Sequence, residues 1–187
     1  MKADFRKILS GYKKRRLTSS ERISAAVLVP LFQQDNDWHI VFIKRTYLVS
    51  NHKGQIAFPG GARDETDADL KATALRESRE EIGLVPEDAA IIGELDDEFT
   101  TTSNYIMTPF VGIIPYPYVF TPNRFEVDTI LTVPLSVLLD ENNLSSDTEM
   151  LDSRPLPSYS YRYGDTIIWG ATARILHKFI ELIKPAL

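Results

Sequence analysis

Cysteine is missing altogether from these 187 residues, which excludes disulfides, thiolate metal sites and a cysteine nucleophile. Its absence suits a reducing compartment, so a cytoplasmic location is the expectation. Histidine is scarce, with only His39, His52 and His177, so an imidazole-built zinc or copper centre has little to draw on. Positive charge is not in excess. There are 21 Lys and Arg against 26 Asp and Glu, a net charge of −5, which argues against nucleic acid as a partner. No apolar run approaches the ~20 residues that span a bilayer, and the start, "MKADFRKILSGYKKRRL", is basic without the uninterrupted apolar stretch of a signal peptide. No membrane partner is expected. Repeats, low-complexity tracts and internal linkers are also lacking.

What is present is an ordinary globular composition, 43% hydrophobic and 25% charged, enough for one domain spanning 1–187. Phe5, Ile8, Leu9 and Tyr12 recur at helical spacing and predict an N-terminal helical extension over about 1–17, with "KKRR" as a solvated tether. Residues 23–32 and 38–46 read as a strand pair around the turn "QQDND". "QIAFPGG" (55–61) is a short strand running into a Pro-Gly-Gly turn. A long helix follows from about Asp67 to Ile82, capped by Thr66 or Asp67 and stopped by Gly83. Leu70, Ala74, Ser78 and Ile82 form its packing stripe. Strands are expected at 89–96, 107–116 and 126–135, the last running into the short helix "LSVLLD". Residues 140–158 are polar and read as loop. "YSYRYGDTIIWG" is a hairpin, and 171–183 is a closing amphipathic helix. Strands before and after one central helix make the fold class α/β (α+β), a mixed sheet with helices packed on it.

The central helix carries an anomaly. Glu77, Glu80 and Glu81 lie three and four residues apart, where like charges face each other. They also crowd the C-terminal end, where the helix dipole disfavours acids. A carboxylate cluster without cysteine selects a hard cation, Mg²⁺ or Mn²⁺, and a dication would relieve the repulsion. The bland alternative is a solvated charged face with Arg76–Glu80 as an i,i+4 pair. Just upstream, Gly60 and Gly61 let backbone approach a ligand closely. Turn, helix and acids together make a compact box for a metal-bound polyphosphate.

These residues resemble a known family. "GGARDETDADLKATALRESREEIGL" is similar to the Nudix box, G-x5-E-x7-R-E-U-x-E-E-x-G-U with U a bulky aliphatic. Arg76, Glu77, Glu80, Glu81, Gly83 and Leu84 are in register. Asp67 stands for the first Glu, one extra residue separates it from Arg76, and Ser78 replaces the aliphatic. "HKGQIAFPGG", "AAVLVPL", "TPFVG" and "WGATARIL" further resemble the coenzyme A pyrophosphatase group, over roughly residues 23–180. An Arg that commonly precedes Gly54 by four residues in that group is Ser50 here.

The resemblance implies an α/β/α sandwich with a mixed sheet and a catalytic loop-helix-loop. It also implies metal-dependent hydrolysis of a pyrophosphate in a nucleoside diphosphate-linked substrate. Glu77, Glu80 and Glu81, with a carbonyl at Gly60 or Gly61, would hold the metal, and Arg76 would orient the acids. Glu77, Glu80 and Glu126 are candidate catalytic acids or bases, with Glu98 and Asp128 as further candidates for the base. For coenzyme A the products would be 3′,5′-ADP and 4′-phosphopantetheine, with Arg45, Lys44, His52, Lys53, Gly60 and Arg63 near the phosphates. Tyr105 and Phe99 are candidates to stack on the base or the arm, and Trp169 to anchor the closing helix. The alternatives are an ADP-ribose, nucleoside diphosphate sugar or dinucleotide hydrolase, or a Nudix-fold sensor without turnover. Apolar edges at the N-terminal helix or the 159–169 hairpin offer surfaces for a homodimer.

Overall fold

The computed structural model describes residues 4–48, 53–101, 103–151 and 154–187, and the side chains of all of these except 151 and 154. In chain order the elements are α1 (Phe5–Ser10), β1 (Ile23–Gln34), β2 (Asp37–Arg45), β3 (Ile56–Ala57), β4 (Gly60–Ala62), α2 (Leu70–Ile82), β5 (Ala90–Glu94), β6 (Glu98–Phe99), β7 (Tyr105–Ile113), β8 (Val127–Pro134), α3 (Leu135–Leu139), β9 (Leu144–Leu151), β10 (Arg154–Tyr163), β11 (Thr166–Trp169) and α4 (Gly170–Ile183).

β1 is the spine. Ala25 to Phe32 are all buried, as expected of a strand covered on both faces. Its alternate residues feed two cores. Val27, Val29 and Leu31 pack with Ile175, Phe179 and Ile183 of α4 and with Phe5 and Leu9 of α1. Ala26 and Leu28 pack with Ala74 and Ile82 of α2. The result is helices on both faces of a mixed sheet, with β1 parallel to β7 and antiparallel to β2 and β4. This is the α/β/α layering the sequence implies.

One irregularity places the site. β1 pairs with β2 only from Leu31 opposite Ile40 to Gln34 opposite Asp37, and then the two strands part. Residues 56–62 lie in the split. β3 pairs with β2, β4 pairs with β1, and the Leu28 amide donates to the Pro59 carbonyl at 2.8 Å between them.

α2 starts at Leu70, with Asp69 accepting from the Ala72 amide. Thr66 and Asp67 therefore do not cap it. Asp67 is buried and accepts from the Asp64 amide and the Thr73 hydroxyl instead. At the other end Gly83 takes the left-handed conformation, φ +69°, and its amide bonds back to Arg79, as the glycine stop predicts.

Three expectations need correction. Within 140–158, residues 144–151 and 154–158 are strand, not loop. β9 pairs with β10 from Leu144 opposite Tyr161 to Leu151 opposite Arg154, in a three-stranded sheet with β11. The backbone ladder holds β9 while residues 145–150 are exposed on both faces, so no hydrophobic alternation advertises the strand. "KKRR" is not a free tether. Lys14 pairs with Glu94, Arg16 with Glu94 at 2.5 Å and with Asp97 at 3.1 Å, and the Tyr12 hydroxyl donates to Asp96. Finally, the apolar face of α1 is spent internally. Phe5 sits 5.1 Å from the Trp38 ring and 5.9 Å from Phe179, so its ring packs inside the chain rather than at a surface.

Candidate active site

The split between β1 and β2 opens into a cavity of about 490 Å³. Its charged lining is Glu77 and Glu81 from α2, Arg45 from the end of β2, and Glu126 from the residue before β8. The glycines explain how α2 acids reach it. A side-chain carbon on Gly61 would lie 2.6–2.7 Å from the two carboxylate oxygens of Glu77, far inside contact distance, so only glycine leaves that room. Gly60 has φ +153° and its amide donates to Glu81 Oε2 at 2.9 Å.

Glu81 is almost fully enclosed, 1% exposed. Its Oε1 faces Arg45 Nη1 at 3.3 Å. Burial, with Glu77 and Glu126 adding repulsion, pushes its carboxyl up to about 8 against the Gly60 amide and Arg45, which pull it down. Burial raises Glu77 as well, opposed by Arg76 and reinforced by Glu80 and Glu126. A desolvated acid with like-charged neighbours is the arrangement expected where a charged guest is missing from the balance.

Arg76 is the hub that keeps these acids together. It reaches Asp67 at 3.0 and 3.1 Å, the Ala62 carbonyl at 3.0 Å, Glu77 at 2.8 Å and Glu80 at 3.1 Å. The guanidinium holds Asp67 down at about 2. In the protein by itself, then, Arg76 and Arg45 supply the positive charge that the glutamate face demands. As the side chains stand, no three acidic or histidine side chains among the described residues converge as an ion-holding set. The donors nevertheless fit a hard dication: Glu77, Glu81 and Glu126 line one cavity, all through oxygen, beside Gly60 and Gly61, which the structure places in strand β4 rather than in the expected turn.

The other predicted residues fall in different places. Glu80 is exposed on the Arg76 side and Lys53 is exposed. Arg63 donates to the Asp67 carbonyl. None of these three is in the cavity lining. His52 and Ser50 lie outside the described residues. Lys44 and Asp128 face each other at 3.9 Å on the surface. Glu98 is buried, with Oε1 on Arg174 and Oε2 on Lys178, and is not in the cavity lining. Phe99 lies under Arg22 rather than in the cavity. Tyr105 does line it, as do Thr100, Thr101, Ser103, Met107 and Ile175. Trp169, at the cap position of α4, is 47% exposed and lines the cavity with Gly170, Ala171 and Thr172. The α4 residues were missed because "WGAT" carries no charge or metal-ligand spacing, and only the packing of α4 beside the split brings them there.

The NUDIX domain family profile matches residues 22–150. This chain belongs to the Nudix family. It is 38% identical over 159 residues to "Nudix hydrolase 22, chloroplastic" of Arabidopsis thaliana, an alignment covering 81% of this chain and 52% of that one. The chain thus spans about half the length of that plant relative. It is 32% identical over 170 residues to a Nudix hydrolase, NudL, of Photorhabdus laumondii, covering 91% of this chain and 89% of the relative. Among solved structures, a MutT/nudix family protein from Enterococcus faecalis superposes with a TM-score of 0.60 at 13% identity, over 90% of this chain and 64% of that one. The NUDIX domain of Shewanella oneidensis NrtR complexed with ADP ribose gives 0.51 at 20% identity, over 71% and 84%. These two likenesses establish the fold.

Proposed function

We propose that this Nudix protein hydrolyses the pyrophosphate bond of a nucleoside diphosphate-linked substrate, with coenzyme A or its thioesters as the leading candidate. The reading rests on one observation: the buried Glu81 shares a cavity with Glu77 and Glu126 beside Gly60 and Gly61 of β4. Bound Mg²⁺ or Mn²⁺ would supply charge neutralisation of the diphosphate and acidification of a water. Glu77 and Glu81 are the leading residues to hold it, with Glu126 facing the same space.

The chain's own part is positional. Among the described residues Arg45 is the one cation in the cavity lining, and it is placed to take a phosphate oxygen once released from Glu81. Its Nε is buried and has no partner among the described residues, so a ligand there would gain a charge-assisted bond. Water attacks one phosphorus, the bridging P–O bond breaks, and the water's proton passes to a carboxylate. Glu126 is our choice for that base, because it lies off α2 and, among the described residues, its carboxylate accepts from Asn123 alone, at 3.3 Å. Arg76, fully engaged with acids and a carbonyl, orients rather than touches substrate.

The coenzyme A assignment is supported by the sequence resemblance and by the uncharged part of the lining, Thr101, Tyr105, Met107, Trp169 and Thr172. That surface suits a long neutral arm. ADP-ribose, a nucleoside diphosphate sugar or a dinucleotide is the second reading, favoured by the absence of any cation but Arg45 from the described lining. A 3′-phosphate would need a further cation. The deciding experiment assays coenzyme A, ADP-ribose, NADH and UDP-glucose with Mg²⁺ or Mn²⁺, alongside calorimetry of ion binding. Coenzyme A should be turned over fastest, and Glu81→Gln should lose at least about a hundredfold in kcat while keeping its fold. Full turnover by that variant, or no ion uptake with a diphosphate present, overturns the metal site. Binding without turnover would instead make the protein a sensor.

A further inference from the structure

One wall of the cavity is built without the glutamates of α2. Across the sheet Ala62 pairs with Ala25, Ala25 with Met107, and Met107 with Glu98. Three strand spacings put Glu98 about 14 Å from β4. There the turn after β6 and the first turn of α4 both line the cavity, through Thr100, Thr101 and Tyr105 on one side and Gly170 to Thr172 on the other.

We propose that Glu98 is a positioning residue for substrate recognition: through Arg174 and Lys178 it locks the turn after β6 to α4, and so sets the width of the cavity end that receives the group attached to the diphosphate. The inference rests on the hydrolase reading above. Glu98 Oε1 accepts from Arg174 Nε at 3.0 Å and its Oε2 meets Lys178 Nζ at 2.8 Å. The Glu98 and Arg174 side chains are 5% and 3% exposed. Arg174 also donates through Nη2 to the Phe99 carbonyl at 2.8 Å, so one guanidinium grips a side chain and the backbone that follows it. The neighbouring Asp97 is tied from the opposite side by Arg16 at 3.1 Å, the Leu17 amide at 2.9 Å and Thr108 at 2.7 Å.

A buried ion pair of this kind contributes little net stability compared with apolar residues of the same volume, because desolvation offsets the attraction. What it does provide is one allowed geometry. Sliding the turn against α4 would strand a desolvated charge, so the opening between them has a defined size. Glu98 in β6 and Thr101 three residues on connect the lock to the lining.

The test is steady-state kinetics of full-length Glu98→Gln and Arg174→Lys with Mg²⁺, on whichever substrate the parent turns over best, with circular dichroism confirming folding. The lock predicts a KM raised about tenfold with kcat within about threefold in both variants. Discrimination between coenzyme A and ADP-ribose should narrow by a similar factor. Unchanged KM in the folded variants overturns the proposal. A kcat loss of a hundredfold or more at constant KM in Glu98→Gln also overturns it, because that is the signature of a base. Should Glu98→Gln fail to fold, Arg174→Lys decides, since it keeps the charge and loses the grip on Phe99. Inactivity of the parent on every substrate would strike the hydrolase reading instead.

Discussion

At the scale of single residues the site is a set of acids held at a cost. Glu81 keeps its proton up to about pH 8, against an ordinary value of 4.5. Below about pH 4.5 the folded and unfolded chains both hold that proton and it makes no difference. Between 4.5 and 8 the unfolded chain releases it first, so the ion-free protein loses stability as pH rises, by up to about 1.4 kcal/mol per pH unit. Urea unfolding at pH 5 to 8 should show a shallower decline in Glu81→Gln than in the parent, and equal slopes would remove Glu81 as the cause. Gly61 makes the complementary case. Gly61→Ala places a methyl group on the Glu77 carboxylate and should displace it. The carboxylate is the mobile end of its side chain and can swing away with little cost to the fold; we expect a folded protein, seen by circular dichroism, whose metal-dependent turnover is nearly abolished.

At the scale of elements, the two ends of α2 differ in what could be read in advance. Its stop at Gly83, its packing residues Ala74, Ser78 and Ile82 and its acidic face all followed from spacing. Its start did not, because Thr66, Asp67 and Asp69 are all competent caps and only tertiary contacts choose among them. Asp67 is taken instead by Arg76, which holds it near 2 against an ordinary 3.8. That pairing contributes stability in full above about pH 4 and loses it as pH falls through 2. Asp67→Asn should therefore cost about 2 kcal/mol at pH 7, and the difference from the parent should shrink between pH 4 and pH 2 in thermal unfolding. The basic stretch at 13–16 was misread for a related reason. A run of cations looks solvated until Glu94, Asp96 and Asp97 are brought beside it from some eighty residues away. β9 was invisible because a strand exposed on both faces leaves no periodic trace.

For the molecule as a whole, most of the architecture was legible because β1, β2 and β7 are long apolar runs, and the helices declare their inner faces. The cavity was half legible. Its acidic side lies in one contiguous motif, whereas Arg45, Glu126 and the pair Trp169 and Thr172 come from three separated stretches that only the fold brings together. A whole-molecule consequence can be measured. An ion bound by the folded chain alone stabilises it by mass action, and its entry must displace the Glu81 proton. Added Mg²⁺ or Mn²⁺ should raise the thermal midpoint, and the increment should grow from pH 6 to pH 8. A pH-independent increment would place the ion elsewhere.

The segment that fills the split leaves a built-in gauge. Gly60 directs its amide at Oε2 of Glu81, one of the carboxylates proposed to hold the ion. In a ¹⁵N-labelled sample that single proton's resonance should move as Glu81 ionises or is claimed, giving a spectroscopic titration of site occupancy with no substrate and no catalysis.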